Sequence, residues 1–334
     1  MAIPKGNTLH LAHPPVIAAW AAGGGKRESQ GPLADGFELR YEDNRLQKPS
    51  WEKSEAELLE ETARQCIQKA GTTPDEIQLA LSGDLQAQCT ASSYTMRQLG
   101  VPYIGLYGAC STMAESLALG ACLSSAGAGE QILAMTASHF CAAERQFRMP
   151  LDYGGMRTPT AQWTATAAGC VLLRQTGTGV TVPAVTFGRV QDLEIRDITN
   201  MGAAMAPAAA DTLLRYFADT KTTPADFDAI FTGDLGQVGG SLLEELMEKS
   251  DVPVPNHQDC GCLLYGDDPT VGAGGSGCGC SAAVLCSHIL PELMHGGYHR
   301  VLFVATGALM SQATFLQRET IPGIAHLVEL QAPQ

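Results

Sequence analysis

Cys110 stands in "LYGACSTMAESLALGA", residues 106–121, between a glycine-rich turn and a run of good helix formers. A thiol there is placed as a nucleophile would be. The first turn of a helix carries unpaired N–H groups and a positive dipole end, which favour a thiolate or a bound carboxylate. Thr112 and Glu115, three residues apart, read as a capping box that starts the helix. Most of the other cysteines fall into two groups. Cys66, Cys122, Cys141, Cys170 and Cys286 lie in apolar runs and read as core. Cys260, Cys262, Cys278 and Cys280 form two C-x-C pairs, tighter than the usual spacing of structural zinc ligands, so no metal site is expected.

Further candidates flank these. His139 follows a short apolar strand directly, and His326 lies in "TIPGIAHLV"; both suit acid–base work or hydrogen bonding to a ligand. Arg145 and Arg148 in "ERQFRMP" share a helical face and can clamp a carboxylate, with Arg157 nearby; an ion pair with Glu144 or Asp152 is the competing reading. Lys249 is the only Lys or Arg between Thr222 and His299, so cationic compensation for an anion must come from the first half. "VGAGGSGCG", 271–279, lacks the Gly-Lys-Ser/Thr ending of a phosphate loop and reads as closely packed backbone. Asp84 and Asp234 each follow a strand, where stabilising a turn is the default role.

The elements that position these residues are written twice. "TTPDEIQLALSGDL" (72–85) returns as "TTPADFDAIFTGDL" (222–235), a turn followed by a short apolar strand. Downstream, "GACSTMAESLALG…QILAM" is matched by "GCGCSAAVLCSHIL…RVLFV", which makes Cys280 the counterpart of Cys110. Continuous apolar runs such as 131–135 and 300–304 suit strands buried on both faces. The reading is an α/β fold of two matched halves, 1–180 and 181–334, with the site at their seam. Two long excursions are expected to reach it: "HFCAAERQFRMPLDYGGMRTPT" and "PNHQDCGCLLYGDDP".

A net charge of −14 argues against nucleic acid as partner. His13, Pro14 and Pro15 interrupt any signal-peptide core, and no apolar run is long enough to span a bilayer. A soluble, cytoplasmic-type chain with free thiols is expected.

With these residues in view, the chain resembles the thiolase superfamily and, within it, the stage V sporulation protein AD family. "GPLADGFE", "QKPSWEKSE", "LYGACST", "AERQFRMP", "DYGG", "MGAAMAPAAADTL", "GAGGSGCGCSA" and "FVATGAL…ETIPGIAH" carry the likeness across nearly the full length. The resemblance implies duplicated βαβαβ halves in a five-layered α/β/α/β/α arrangement, with Cys110 in the place of the thiolase nucleophile. Where condensing enzymes keep a histidine base this chain has "FTGDLGQ" with Asp234, and where they keep an asparagine it has "GSGCGCSA". The resemblance therefore implies a binder rather than an enzyme, with no catalytic residue and no cofactor. Its ligand would be dipicolinic acid (pyridine-2,6-dicarboxylate) or the calcium chelate, taken up into the forespore in sporulation and released in germination. The implied partners are SpoVA membrane proteins, with the chain peripheral at the spore inner membrane. A homodimer through the first half's sheet edge is implied too. Cys110, His139, Arg145, Arg148, Asp234, Cys280 and His326 are the expected ligand contacts. The alternative is a cysteine-dependent acyltransferase or condensing enzyme acting on acyl-CoA.

Overall fold

The repeated Thr-Thr-Pro motif folds the same way at both of its occurrences. Thr73 and Thr223 each cap a 3-10 turn, Pro74–Glu76 and Pro224–Asp226, and the third-position carboxylate accepts from the backbone N–H of the capping threonine. Proline opens each turn at little cost, because the N–H it lacks would have been unpaired there. The computed structural model describes residues 3–147 and 157–333.

Each turn feeds a strand in the middle of a mixed sheet. The first stretch contributes β1 (Val16–Gly24), β2 (Leu79–Gly83), β3 (Tyr103–Gly105), β4 (Gln131–Ser138) and β5 (Ala167–Arg174). Their order is β3–β2–β4–β5–β1, with β2 parallel to β3 and β4 and the other pairs antiparallel. After β6 (Val180–Thr181) come β7 (Ala184–Thr186), β8 (Ala229–Thr232), β9 (His257–Asp259), β10 (Arg300–Ala308) and β11 (Gly323–Gln331). They repeat the pattern as β9–β8–β10–β11–β7, again with the first two pairs parallel and the last two antiparallel. β6 pairs antiparallel with both β1 and β11 and so joins the two arrays.

Helices complete the layers. α1 (Trp51–Lys69) and α2 (Thr90–Leu99) cover the outside of the first array, and α5 (Met201–Thr220) and α6 (Gly236–Lys249) cover the second. α3 (Thr112–Ser125) and α8 (Cys278–Val284) lie between the arrays; α3 touches β2, β4, β10 and β11. Patterning explains the assignment. α1 buries residues in pairs four apart (Leu58/Leu59, Thr62/Ala63, Cys66/Ile67) and exposes Lys53, Glu61 and Arg64, as a one-sided helix must. α3 instead buries Met113, Ala114, Ser116, Leu117, Ala118, Gly120 and Ala121, which leaves only a narrow stripe near solvent. A helix with apolar or small residues nearly all round suits a central layer, where small side chains let two sheets approach. Two shorter helices, α4 (Phe140–Phe147) and α7 (Cys260–Tyr265), lie in the two excursions. Among the described residues no helix is long and apolar enough to cross a membrane.

The start of α3 differs from the expected capping box. Ser111 is the capping residue and makes no side-chain cap bond. The Thr112 hydroxyl instead donates to the Ala109 carbonyl (2.7 Å) and accepts from the Gly108 N–H (3.3 Å), while Ser111 Oγ donates to the Gly108 carbonyl (2.6 Å). These bonds tie a 3-10 turn, Ala109–Ser111, in which Ala109 adopts a φ of +50°. A left-handed alanine costs about 1 kcal/mol, offset here by the hydroxyl bonds that enclose it. Glu115 is left half-buried, and burial pushes its carboxyl up to about 7.

Candidate functional site

The Ala109–Ser111 turn presents Cys110 to a cavity of about 210 Å³ at the seam of the two arrays. Cys110 and Ala109 form one wall together with Tyr107 and Leu85. Ala143, Glu144 and Phe147 of α4 form another, and Arg157, Thr158 and Gln162 close the side beyond it. The second array contributes Met201 and Met205 from α5, Ser276 before α8, and Ala308 and Met310 at the end of β10. The site thus lies where strand C-ends and helix N-ends meet, as expected for sheets of this kind. Gly307 lets this happen. A Cβ added there would stand 2.2 Å from the Gly108 carbonyl oxygen, so only glycine allows β10 to pack against the turn that carries Cys110.

Behind the cavity wall lies a polar chain. Cys110 Sγ is 3.9 Å from Ser276 Oγ, which donates to Asp234 Oδ2 at 3.0 Å. The same carboxylate accepts from the Gly277 N–H (3.0 Å) and, through Oδ1, from Thr306 Oγ1 (2.9 Å). Burial pushes Asp234 up to about 6, and nearby Asp259 adds to the shift. Burial, and then the Asp234 charge and Cys278, hold the Cys110 thiol well above its ordinary range. The helix dipole does not overcome this, so the thiolate that the sequence position suggested is disfavoured.

The remaining expected contacts are distributed differently. Arg145 points outward and pairs with Glu52 (3.0 Å). The phase of α4 explains why: Ala143 and Phe147, four apart, face the cavity, which turns Arg145 to the other side. Arg148 lies outside the described residues. His139 is buried with Nε2 against the Asn44 carbonyl (2.9 Å) and Nδ1 accepting from the Cys141 N–H (3.2 Å), and burial lowers its pKa. His326, on β11, accepts from the Gly188 N–H at Nδ1 (3.1 Å), and burial holds it down to about 4. Neither histidine lines the cavity, and neither does any other described histidine.

Cys280 is fully buried on α8 and faces Gly275 rather than the cavity. Its neighbour two residues earlier, Cys278, is the one grouped with Cys110, in a cluster with Leu85, Ala109 and Ala143. Cys278 Sγ donates to the Ala137 carbonyl (3.0 Å). The register of α8 is fixed by Gly279, where a Cβ would stand 2.1 Å from the Ala167 carbonyl oxygen. Asp84 does stabilise its own turn, accepting from the Gln86 and Ser92 N–H groups (2.9 and 2.8 Å), whereas its repeat counterpart Asp234 reaches across to Ser276 and Thr306. Of the two excursions, the first lines the cavity and the second does not. Among the described residues no group of three or more His, Cys, Asp or Glu is placed to hold a metal.

Arg157 is the described cation that lines the cavity. Its guanidinium pairs with Glu144, donates to the Gln162 carbonyl (2.5 Å), and lies 5.0 and 5.1 Å from the ring centroids of Trp163 and Phe140. The two rings stack on each other, 3.8 Å between centroids, and a planar cation set against that pair is preorganised to meet a carboxylate. Ser276, Gln162 and the methionines carry no comparable signal in the sequence.

Comparisons with known proteins agree on the fold. The chain matches the family model described as stage V sporulation protein AD over residues 5–331. It is 42% identical to stage V sporulation protein AD of Bacillus subtilis (strain 168) over 321 residues, 96% of this chain and 95% of that one. Among solved structures it resembles a tetronic acid condensing enzyme, with a TM-score of 0.59, 16% identity, and 95% and 99% of the two chains covered. It also resembles 3-oxoacyl-[acyl-carrier-protein] synthase III of Aquifex aeolicus (0.55, 11%, 95% and 99%). A histidine-to-aspartate variant of OleA from Xanthomonas campestris is similar too (0.62, 11%, 95% and 98%). At these identities the structural likeness speaks for the fold, a thiolase-like α/β arrangement.

Proposed function

The chain belongs to the stage V sporulation protein AD family, and from that premise we propose that the cavity beside Cys110 binds dipicolinate, free or as its calcium chelate, without catalysing a reaction on it. The observation that carries this reading is the state of the thiol. Burial, with the Asp234 charge beside it, holds the Cys110 thiol well above its ordinary range, so the reactive thiolate is disfavoured at neutral pH. No described histidine lines the cavity to take its proton. A condensing enzyme needs both.

Binding asks for less. A planar ring with two carboxylates needs apolar walls and a few fixed polar groups. Leu85, Phe147, Met201, Met205 and Met310 supply the first, and Arg157, Ser276 and Thr158 the second. The paired Arg157 and Glu144 leave little excess positive charge, which favours entry of the dianion with its charge already offset by calcium. Family membership supports a place beside SpoVA membrane proteins at the forespore and spore inner membrane, in uptake during sporulation and in release at germination.

Calorimetry on the full chain tests the reading: dipicolinate, with and without calcium, should give a saturable heat. No heat up to millimolar ligand would refute it, and an acyl adduct on Cys110 after incubation with acyl-CoA would restore the condensing-enzyme alternative.

The proposal extends to a homodimer. β3 pairs only with β2 among the described strands, so its outer edge is free, and Ile104 on it and Tyr107 beyond it are 44% exposed. Unpaired edges with apolar residues invite a second strand. Light scattering should give twice the chain mass for the native protein and a monomer for Ile104→Lys; a native monomer would contradict the extension.

A further inference from the structure

Ser276 is a polar group of the cavity wall whose hydrogen-bonding sense is set from behind by a buried carboxylate. A serine hydroxyl has one proton. In this structure that proton is directed at Asp234 Oδ2 (3.0 Å), so Ser276 turns lone pairs toward the cavity and toward Cys110 Sγ, 3.9 Å away. A carboxylate entering the cavity would meet those lone pairs, an unfavourable contact. We infer that Asp234 decides whether Ser276 accepts from or donates to the cavity, so that an anionic ligand binds there together with one proton. The inference rests on the dipicolinate reading and deepens it.

The proton balance is simple. One proton from solvent adds to Asp234 Oδ2 and is donated to Ser276 Oγ; the Ser276 proton then rotates toward the ligand carboxylate. Thr306 remains on Oδ1 (2.9 Å), and the Gly277 N–H keeps its place at Oδ2 (3.0 Å). No bond to carbon or sulfur changes.

The surroundings of Asp234 favour this uptake. The side chain is fully buried. The titratable groups that face it are acids: Asp259 at the end of β9, Cys110 before α3, Cys260 on α7, and Cys278 and Cys280 on α8. Asp259 accepts from the Leu235, Gly236 and Cys262 N–H groups and from Thr232 Oγ1. A ligand anion added to this group of acids raises the pKa of Asp234 further, from a starting value of about 6.

Calorimetry of dipicolinate binding at pH 7.5, in buffers of different ionisation enthalpy, reads the proton directly. The expected result is uptake of nearly one proton per ligand, with affinity rising up to about tenfold as pH falls from 8 to 7. Asp234→Asn and Ser276→Ala should each abolish the uptake at whatever affinity remains, and the second variant is small enough to preserve the fold. Binding without proton uptake by the native chain, or uptake that persists in both variants, would overturn this inference alone. Absence of heat at every pH would overturn the dipicolinate reading and this inference with it.

Discussion

Replacing Arg157 by alanine will weaken dipicolinate binding by about 10- to 100-fold, the equivalent of one hydrogen-bonded charge at about 1.5–3 kcal/mol. Arg157 is the described cation on the cavity wall, and it rests 5.0 and 5.1 Å from the ring centroids of Trp163 and Phe140. Loss of the guanidinium removes the group that meets a ligand carboxylate and also one partner of Glu144. Arg157→Lys should fall between the two, because it keeps the charge but neither the fork nor the stacking. Titration calorimetry of the three proteins checks the order, with thermal melts to confirm that each is folded. Equal affinity for all three would place the ligand elsewhere.

Gly307→Val will cost about 3 kcal/mol of stability or more and abolish ligand binding at the same time. The first added carbon alone would stand 2.2 Å from the Gly108 carbonyl oxygen and 3.1 Å from the Ser111 N–H. Both atoms are backbone, so relief requires moving the turn or the strand; insertions into packed interiors cost about 1–3 kcal/mol, and β-branching adds to that. The turn is the one that presents Cys110, so strain there distorts the cavity wall directly. Urea unfolding and calorimetry on the same sample test both halves. A variant as stable as the native chain would show that the contact between β10 and the turn is not what shapes the site.

The fold was readable where the chemistry is local. The Thr-Thr-Pro repeats carry their own caps, and the apolar runs at 131–135 and 300–304 have no polar alternation, so turn and buried strand follow from residue type alone. Of the cavity lining, Cys110 and the neighbouring Arg157 were readable in the sequence. Arg145 fails because a helix face is fixed by what packs on it: Phe147 and Ala143 take the inward side, and the arginine between them has no choice. Cys280 fails by two residues, because matching the repeats by their Cys-Ser step ignores the close contact at Gly279 that sets the rotation of α8 and turns Cys278 toward Cys110. Asp234 was placed by the repeat and expected as a turn residue or a ligand contact, whereas it stands behind the cavity wall. Its actual partners, Ser276 and Thr306, are 42 and 72 residues away in the chain, beyond what local pattern can show. The histidines illustrate the same limit, since burial, which local pattern does not show, lowers the pKa of both His139 and His326.

The central claim is that the seam cavity holds a small dicarboxylate against a thiol that stays unreactive. A crystal structure of the full chain soaked with dipicolinate and calcium tests it most directly. The account predicts the ring in the cavity, one carboxylate on Arg157, the other within hydrogen-bonding distance of Ser276, and Cys110 Sγ unmodified. An empty cavity with the ligand bound elsewhere, or electron density continuous from Cys110 Sγ into a substrate fragment, would contradict it.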